Sequence, residues 1–118
     1  MPVYNEDVAR IFNQVADLLE IEGANQYRVR AYRDAARTIS TLSGSVAERV
    51  NQGEDLTELE GIGEDLAGKI EEIIETGDLR MLEELEQRTP PELANMLDIE
   101  GLGPKRVHAL YENLGIAT

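Results

Sequence analysis

A hairpin-like segment occurs twice in this sequence, forty residues apart, and it restricts the possible folds more than any other feature. The stretch LEGIGEDLAGKI at 59–70 is repeated in similar form as IEGLGPKRVHAL at 99–110. Each copy has Gly-apolar-Gly between two short helical patterns, and apolar residues recur at 59/99, 62/102, 67/107 and 70/110. One copy would suit a plain turn between helices. Two copies with shared apolar positions predict a hairpin that is repeated for a function.

Helical periodicity extends over the rest of the chain, and no stretch alternates convincingly as a strand. The first helix is predicted to start at Asn5 as N-cap and to end before Gly23. A second runs over 26–41 and places Ala31, Tyr32, Ala35, Ala36 and Ile39 on its apolar face. Further helices are predicted at 46–51, at 64–76 and around Leu79, Leu82 and Leu85. The predicted fold class is all-α.

The net charge of the chain limits the kinds of ligand that it can attract. The 118 residues carry a net charge of -13, which argues against nonspecific attraction to DNA. Two segments depart from this acidity: 26–42 has four arginines and one aspartate, and 101–111 has a lysine and an arginine and no acid. There is no cysteine, and the N-terminus lacks a long apolar run. These features predict an intracellular, soluble protein with two basic islands.

The Gly-apolar-Gly turns predict an anion site. Glycine permits positive φ, and because it has no Cβ it lets a large ligand approach the main chain. The first amides of the following helix point outward at the positive end of its dipole. The apolar residue between the glycines, Ile62 or Leu102, is expected to anchor the turn in the core.

Together with ANQYRVRAYRDAARTI and IIETGDLRMLEEL, these segments resemble the N-terminal region of family X DNA polymerases, the DNA polymerase beta type. The resemblance covers essentially the whole chain. It implies a compact multi-helix fold with two helix-hairpin-helix motifs, a lyase-type domain at 1–80 and the start of the fingers at 81–118. It also implies sequence-nonspecific binding of gapped or nicked DNA in repair. The polymerase palm is not in this sequence and is expected in a full-length protein.

The resemblance assigns roles to particular residues. The hairpins of this family bind a monovalent cation, Na⁺ or K⁺, through main-chain carbonyls that bridge to a phosphate, and no organic cofactor is expected. The carbonyls here would be those of Thr57, Leu59, Ile62, Leu97, Ile99 and Leu102. The predicted DNA-binding residues are Gly61, Gly63, Gly101, Gly103, Lys105, Arg106, Arg28, Arg30, Tyr32, Arg33 and Arg37. Of these, Arg30, Arg33 and Arg37 are predicted from the residues themselves, because they share the helix face opposite the apolar one. The alternative for these three is a solvated face paired with local acids.

Lys69 occupies the position of the Schiff-base lysine of the family's 5′-deoxyribose-phosphate lyase. A lysine is required there because attack on the sugar aldehyde needs a neutral amine, which arginine cannot supply. The alternative is that Lys69 forms ion pairs on the helix surface, with Asp65 at i−4 and with Glu72 at i+3. The lysines that surround the phosphate in lyase-active members are replaced by Arg28, Thr57, Asp65 and Met81, which puts lyase activity in doubt.

Two broader alternatives stay open at this stage. Acidic excess with nine arginines and two lysines also fits adaptation to high salt, under which the acidity does not argue against DNA. The chain could instead be an acidic protein-interaction module of a repair complex whose DNA role has lapsed. The expected setting is a monomer in a prokaryotic cytoplasm, associated with the nucleoid and not with a membrane.

Overall fold

The computed structural model describes residues 3–89, and all regular structure in that range is helical. The helices are α1 (Asn5–Ile21), α2 (Gln26–Ser40), α3 (Val46–Asn51), α4 (Glu64–Thr76) and α5 (Arg80–Arg88). A short 3₁₀ turn, Leu56–Glu58, precedes α4. The predicted all-α fold is confirmed, and the helices at 46–51 and 64–76 have the predicted bounds.

Helices α1 and α2 form the centre of the fold. The chain leaves α1 through Gly23, whose φ of +77° lies in the left-handed region that glycine adopts without strain. Asn25 then caps α2, because its side chain accepts a hydrogen bond from the Tyr27 amide at 2.7 Å. The ring of Phe12 meets that of Tyr32 edge-on, with centroids 5.6 Å apart. The buried faces of these helices and of α4 and α5 form one apolar core.

Two details of the predicted helices were wrong. The N-cap of α1 is Tyr4, and Asn5 is the first helical residue. The Asn5 side chain donates to the Gly44 carbonyl at 2.7 Å and accepts from the Val46 amide at 2.8 Å, so tertiary partners engage its amide group. Ala31 is exposed, and Val29 takes its place on the buried face. At 100° per residue Ala31 points about 100° away from Tyr32, outside the apolar stripe.

Helix α5 lies against α1 through buried Leu82 and Leu85. At its end the Arg88 guanidinium makes two hydrogen bonds, of 3.1 and 3.2 Å, to the carboxylate of Glu22 just after α1. The division of the chain at residues 80 and 81 stays a prediction. Within residues 3–89, none of the helices combines the length and the apolar character that a membrane crossing requires.

Candidate nucleic-acid interface

The first hairpin consists of the 3₁₀ turn, the loop at 59–63 and α4, and its two glycines have different conformations. Gly61 has a φ of +76°, which favours glycine on conformational grounds. Gly63 is extended, with φ −91° and ψ −175°, a conformation open to any residue. A Cβ at Gly63 would meet no atom within 4 Å. Gly61 therefore makes the turn, whereas Gly63 leaves an uncovered stretch of main chain at the surface.

Contacts on both sides hold the turn in place. Ile62 is buried between the two glycines, as the sequence predicted for the anchor of the turn. From α2, the Thr38 hydroxyl donates a hydrogen bond of 2.8 Å to the Glu60 carbonyl. Before the turn, the Asp55 carboxylate accepts from the amide and the hydroxyl of Thr57, at 3.0 and 2.6 Å. The hairpin is thus fixed to α2 and to the core before any ligand binds.

The beginning of α4 offers open donors. Gly63 is its N-cap and makes no side-chain cap, having no side chain. Within residues 3–89 no acceptor bonds the amides of Gly63, Glu64 or Asp65. Such amides at a helix N-terminus, with the positive end of the dipole behind them, can bind an anionic oxygen.

The side chains around the hairpin are mostly acidic. Glu58, Glu60, Glu64 and Asp65 all lie in or beside the turn, and carboxylates in a first helical turn are favoured by the dipole. The side chains of this hairpin therefore give no positive field. Any affinity of this hairpin for phosphate must therefore come from its main chain and not from its side chains.

The predicted cation ligands of this hairpin have suitable main-chain oxygens. The Leu59 carbonyl accepts one hydrogen bond, from the Ile62 amide at 3.1 Å, and a carbonyl oxygen can accept a second interaction. The carbonyls of Thr57 and Ile62 accept no hydrogen bond from the described part of the chain. Carbonyl oxygens can replace the hydration shell of a monovalent cation. The three oxygens thus have acceptor capacity left for the cation that the resemblance implies.

Lys69 lies one turn into α4 and is only 20 % exposed. Its ammonium bonds the Asp65 carboxylate at 2.7 Å. Burial, the largest single influence, lowers the pKa of Lys69, but the hydrogen bond to Asp65 and the nearby Tyr32 hydroxyl together outweigh it and raise this pKa above its usual value. The predicted ion pair with Glu72 was wrong, because the Glu72 carboxylate accepts from the Arg80 amide at 2.7 Å and caps α5.

Tyr32 both packs in the core and faces the lysine. Its ring is buried and its hydroxyl donates to the Met81 sulfur at 3.2 Å. Two of the positions where the family has basic residues, Asp65 and Met81, thus lie around Lys69 and hold no cation. Arg28 is exposed near the start of α2, and Tyr27 beside it is 82 % exposed.

The other arginines of α2 line a groove against α1. Arg33 bonds Asp17 at 2.8 Å and Glu20 at 3.4 Å on α1. Arg37 lies 3.8 Å from Asp34, and Arg30 has no ion pair among residues 3–89. Arg30, Arg33 and Arg37 share the lining of one groove of about 320 Å³.

Sequence reasoning missed Thr38, which joins α2 to the hairpin turn. A threonine near the end of a helix carries no local signal for a partner 22 residues away. The predicted residues of the second hairpin lie outside the described residues: Leu97, Ile99, Gly101, Leu102, Gly103, Lys105 and Arg106.

Two comparisons with known proteins agree with this geometry. A family model described as "Helix-hairpin-helix domain" matches residues 3–79. The "DNA polymerase/3'-5' exonuclease PolX" of Bacillus subtilis (strain 168) is 32% identical over 114 residues. That alignment covers 97% of this chain and 19% of the relative, so the chain spans about a fifth of the relative's length. The resemblance to family X DNA polymerases is confirmed, and the chain belongs to the helix-hairpin-helix domain family.

Proposed function

We propose that the chain is a DNA-binding module that holds gapped or nicked DNA, without regard to base sequence, for a family X DNA polymerase in repair. The observation that carries this proposal is the first hairpin, where a left-handed Gly61 and an extended Gly63 present uncapped main-chain amides at the surface. The catalytic palm would belong to the rest of a full-length protein, in a prokaryotic cytoplasm at the nucleoid.

A phosphate oxygen is the ligand that suits these amides best. Main-chain donors at a helix start bind phosphate without selecting a base, because every nucleotide offers the same backbone. Gly63 has no Cβ to keep the backbone of the DNA at a distance. Binding through such contacts is insensitive to sequence and weakens as salt rises.

A monovalent cation at the carbonyls of Thr57, Leu59 and Ile62 would supply the charge that the side chains lack. The cation would offset the carboxylates of Glu60 and Glu64 and attract a phosphate to the turn. This part of the proposal is supported by the carbonyls that accept no hydrogen bond within the described residues. The proposed role of the domain needs no chemistry from Lys69.

A substitution at Gly63 tests the proposal. We expect Gly63→Val to weaken binding to one-nucleotide-gapped DNA at least tenfold, because its side chain would occupy the space beside the open amides. The fold should keep its melting temperature, since this conformation is open to valine and a Cβ there meets nothing. Affinity can be measured by fluorescence anisotropy, and folding by circular dichroism.

Gly68→Val provides the matched control. A Cβ at Gly68 also meets nothing within 4 Å, but this glycine lies more than a turn further along α4. Equal affinity of the Gly63 variant and the parent would exclude the hairpin as the DNA site. If the parent itself binds neither gapped nor intact DNA at any salt concentration, the acidic protein-interaction module is the better description.

A further inference from the structure

The loop of the first hairpin contains a type II β-turn at 59–62. The Ile62 amide donates to the Leu59 carbonyl at 3.1 Å, which closes the four residues. Glu60, at the second position, has a negative φ, whereas Gly61, at the third position, has a φ of +76°. This combination of signs distinguishes type II from the other common hydrogen-bonded turns. Glycine adopts both signs of φ readily, so the sequence of the turn also permits type I.

The two turn types differ in the direction of the peptide between Glu60 and Gly61. Conversion of type II to type I reverses this central peptide, because ψ of Glu60 and φ of Gly61 change together. The peptide bond is trans, so the Glu60 carbonyl and the Gly61 amide point in opposite directions. The conversion therefore exchanges a hydrogen-bond donor for an acceptor on each side of the turn.

The Thr38 hydroxyl fixes the direction of this peptide. It donates to the Glu60 carbonyl at 2.8 Å, so the carbonyl points toward α2 and the Gly61 amide points away from it. Within residues 3–89 no acceptor bonds the Gly61 amide. Gly61 is exposed, and a Cβ there would meet no atom within 4 Å. A ligand can therefore approach this amide from the side opposite α2.

Thr38 uses its hydroxyl differently from the other threonines at helix ends in residues 3–89. Each of those others bonds the carbonyl four residues earlier in its own helix: Thr41, Thr76 and Thr89. The corresponding carbonyl for Thr38 would be that of Asp34. Thr38 bonds the turn carbonyl 22 residues away instead. Its hydroxyl thus serves the conformation of the hairpin and not that of its own helix.

We propose that Thr38 is a positioning residue for DNA binding, which keeps the Gly61 amide directed at a DNA phosphate and the Glu60 carbonyl away from it. The inference rests on the proposed function of the hairpin. In a type I turn the carbonyl oxygen would face the phosphate, and its partial negative charge would repel it. Because apparent affinity follows the fraction of molecules in the binding-competent conformer, loss of the Thr38 bond should weaken binding although Thr38 itself does not contact DNA.

Thr38→Val tests the inference, because it keeps the β-branched shape and removes the hydroxyl. Thr38→Ser keeps a hydroxyl and is the conservative variant. The matched control is Thr41→Val, which removes a hydroxyl whose hydrogen bonds stay within α2. Affinity for one-nucleotide-gapped DNA is measured by fluorescence anisotropy with the full 118-residue chain.

NMR of the same variants reports the turn type independently of DNA. In a type II turn the Hα proton of Glu60 lies next to the Gly61 amide proton, and a strong nuclear Overhauser effect joins them. In a type I turn the amide protons of these two residues are close together instead. A role of Thr38 in overall stability alone would change neither pattern.

We expect Thr38→Val to shift the turn toward the type I pattern and to bind gapped DNA about twofold or more weakly. One net hydrogen bond changes an equilibrium between two conformers by roughly two- to tenfold. Thr38→Ser and Thr41→Val should keep the type II pattern and the affinity of the parent. In a Gly63→Val background, where DNA is already kept from the turn, Thr38→Val should cause no further loss of affinity.

Other outcomes would overturn the inference. An unchanged turn in Thr38→Val would do so, and so would a changed turn with unchanged affinity. Equal weakness of Thr38→Ser and Thr38→Val would show that the hydroxyl is not the cause. A further loss in the Gly63→Val background would mean that Thr38 acts outside the hairpin. If Gly63→Val itself binds as the parent does, the proposed function fails, whatever the result for Thr38.

Discussion

At the scale of single residues, the Lys69–Asp65 pair decides what chemistry the hairpin can perform. A Schiff base requires the neutral amine, and an amine with its pKa above the usual value is neutral in fewer than about one molecule in a thousand at pH 7. Because the folded pKa is raised, the pair stabilises the fold below the unfolded pKa near 10.5, and that contribution is lost as the pH rises further. Lys69 is thus an ion-pairing residue throughout the neutral range.

Borohydride trapping on DNA with a 5′-abasic sugar tests this assignment. We expect the parent to give no more adduct than the variant Lys69→Ala, because the Lys69 amine stays protonated. Asp65→Asn removes the main influence that raises the pKa while the burial that lowers it remains. The Asn variant should therefore trap through Lys69 at a yield several-fold above the parent.

Lys105→Ala controls for adducts formed by the other lysine of the chain. An adduct of the parent that disappears in Lys69→Ala and persists in Lys105→Ala would contradict the assignment and establish lyase chemistry. The i−4 spacing of Asp65 and Lys69 made their pair predictable from the sequence. The hydrogen bond that Glu72 accepts from the Arg80 amide was not predictable, because this amide belongs to another helix, α5.

At the scale of the elements, the sequence predicted helix ends best where a local signal fixes them. Ser45 caps α3 by accepting from the Glu48 amide, and Gly77 ends α4 in a left-handed conformation with φ +79°. Both ends depend on residues within four positions. Asn5 was misassigned because its side chain bonds Gly44 and Val46 near the start of α3, which no short window of sequence contains. Ala31 was misassigned although helical spacing already places Val29, and not Ala31, in the buried stripe of α2.

The free energy of unfolding should distinguish the roles of the two glycines in the hairpin turn. We expect Gly61→Ala to destabilise the fold by about 1–2 kcal/mol, because an L-residue is strained at a φ of +76°. Gly63→Ala should change stability by less than this, because alanine adopts the extended conformation and reduces the entropy of the unfolded chain, and these effects offset its disadvantage at an N-cap. Urea denaturation followed by circular dichroism measures both.

The opposite order of stability in the two variants would mean that the turn conformation differs from the one described. Gly68→Ala serves as the reference substitution, because it replaces a glycine inside α4 whose added Cβ meets nothing. Helix propensity alone predicts that this variant is more stable than the parent by about 0.5–1 kcal/mol.

At the scale of the whole molecule, the acidic excess governs how salt acts on the fold. The chain has 24 acidic and 11 basic residues, so even complete pairing leaves 13 carboxylates without a partner. The outer face of α4 shows the consequence, because Glu71 and Glu75 are both exposed there at an i,i+4 spacing that is repulsive for like charges. Salt screens both the repulsion between carboxylates and the attraction within ion pairs. Exposed ion pairs contribute only about 0–1 kcal/mol each, so the relief of repulsion should be the larger effect.

We therefore expect the melting temperature to rise by several degrees between 0.1 and 1 M KCl, as the Debye length shortens from about 10 to about 3 Å. The variant Glu71→Gln with Glu75→Gln should start higher and rise less, because part of the repulsion is already removed. Repeating the series near pH 4, where many of the carboxylates take up protons, separates charge screening from other effects of the salt. The rise should shrink there if screening is its cause. A melting temperature that falls with KCl at pH 7 would contradict this prediction. It would mean that the ion pairs within residues 3–89, such as Arg33 with Asp17 and Arg88 with Glu22, stabilise the fold by more than the repulsion between surplus carboxylates destabilises it.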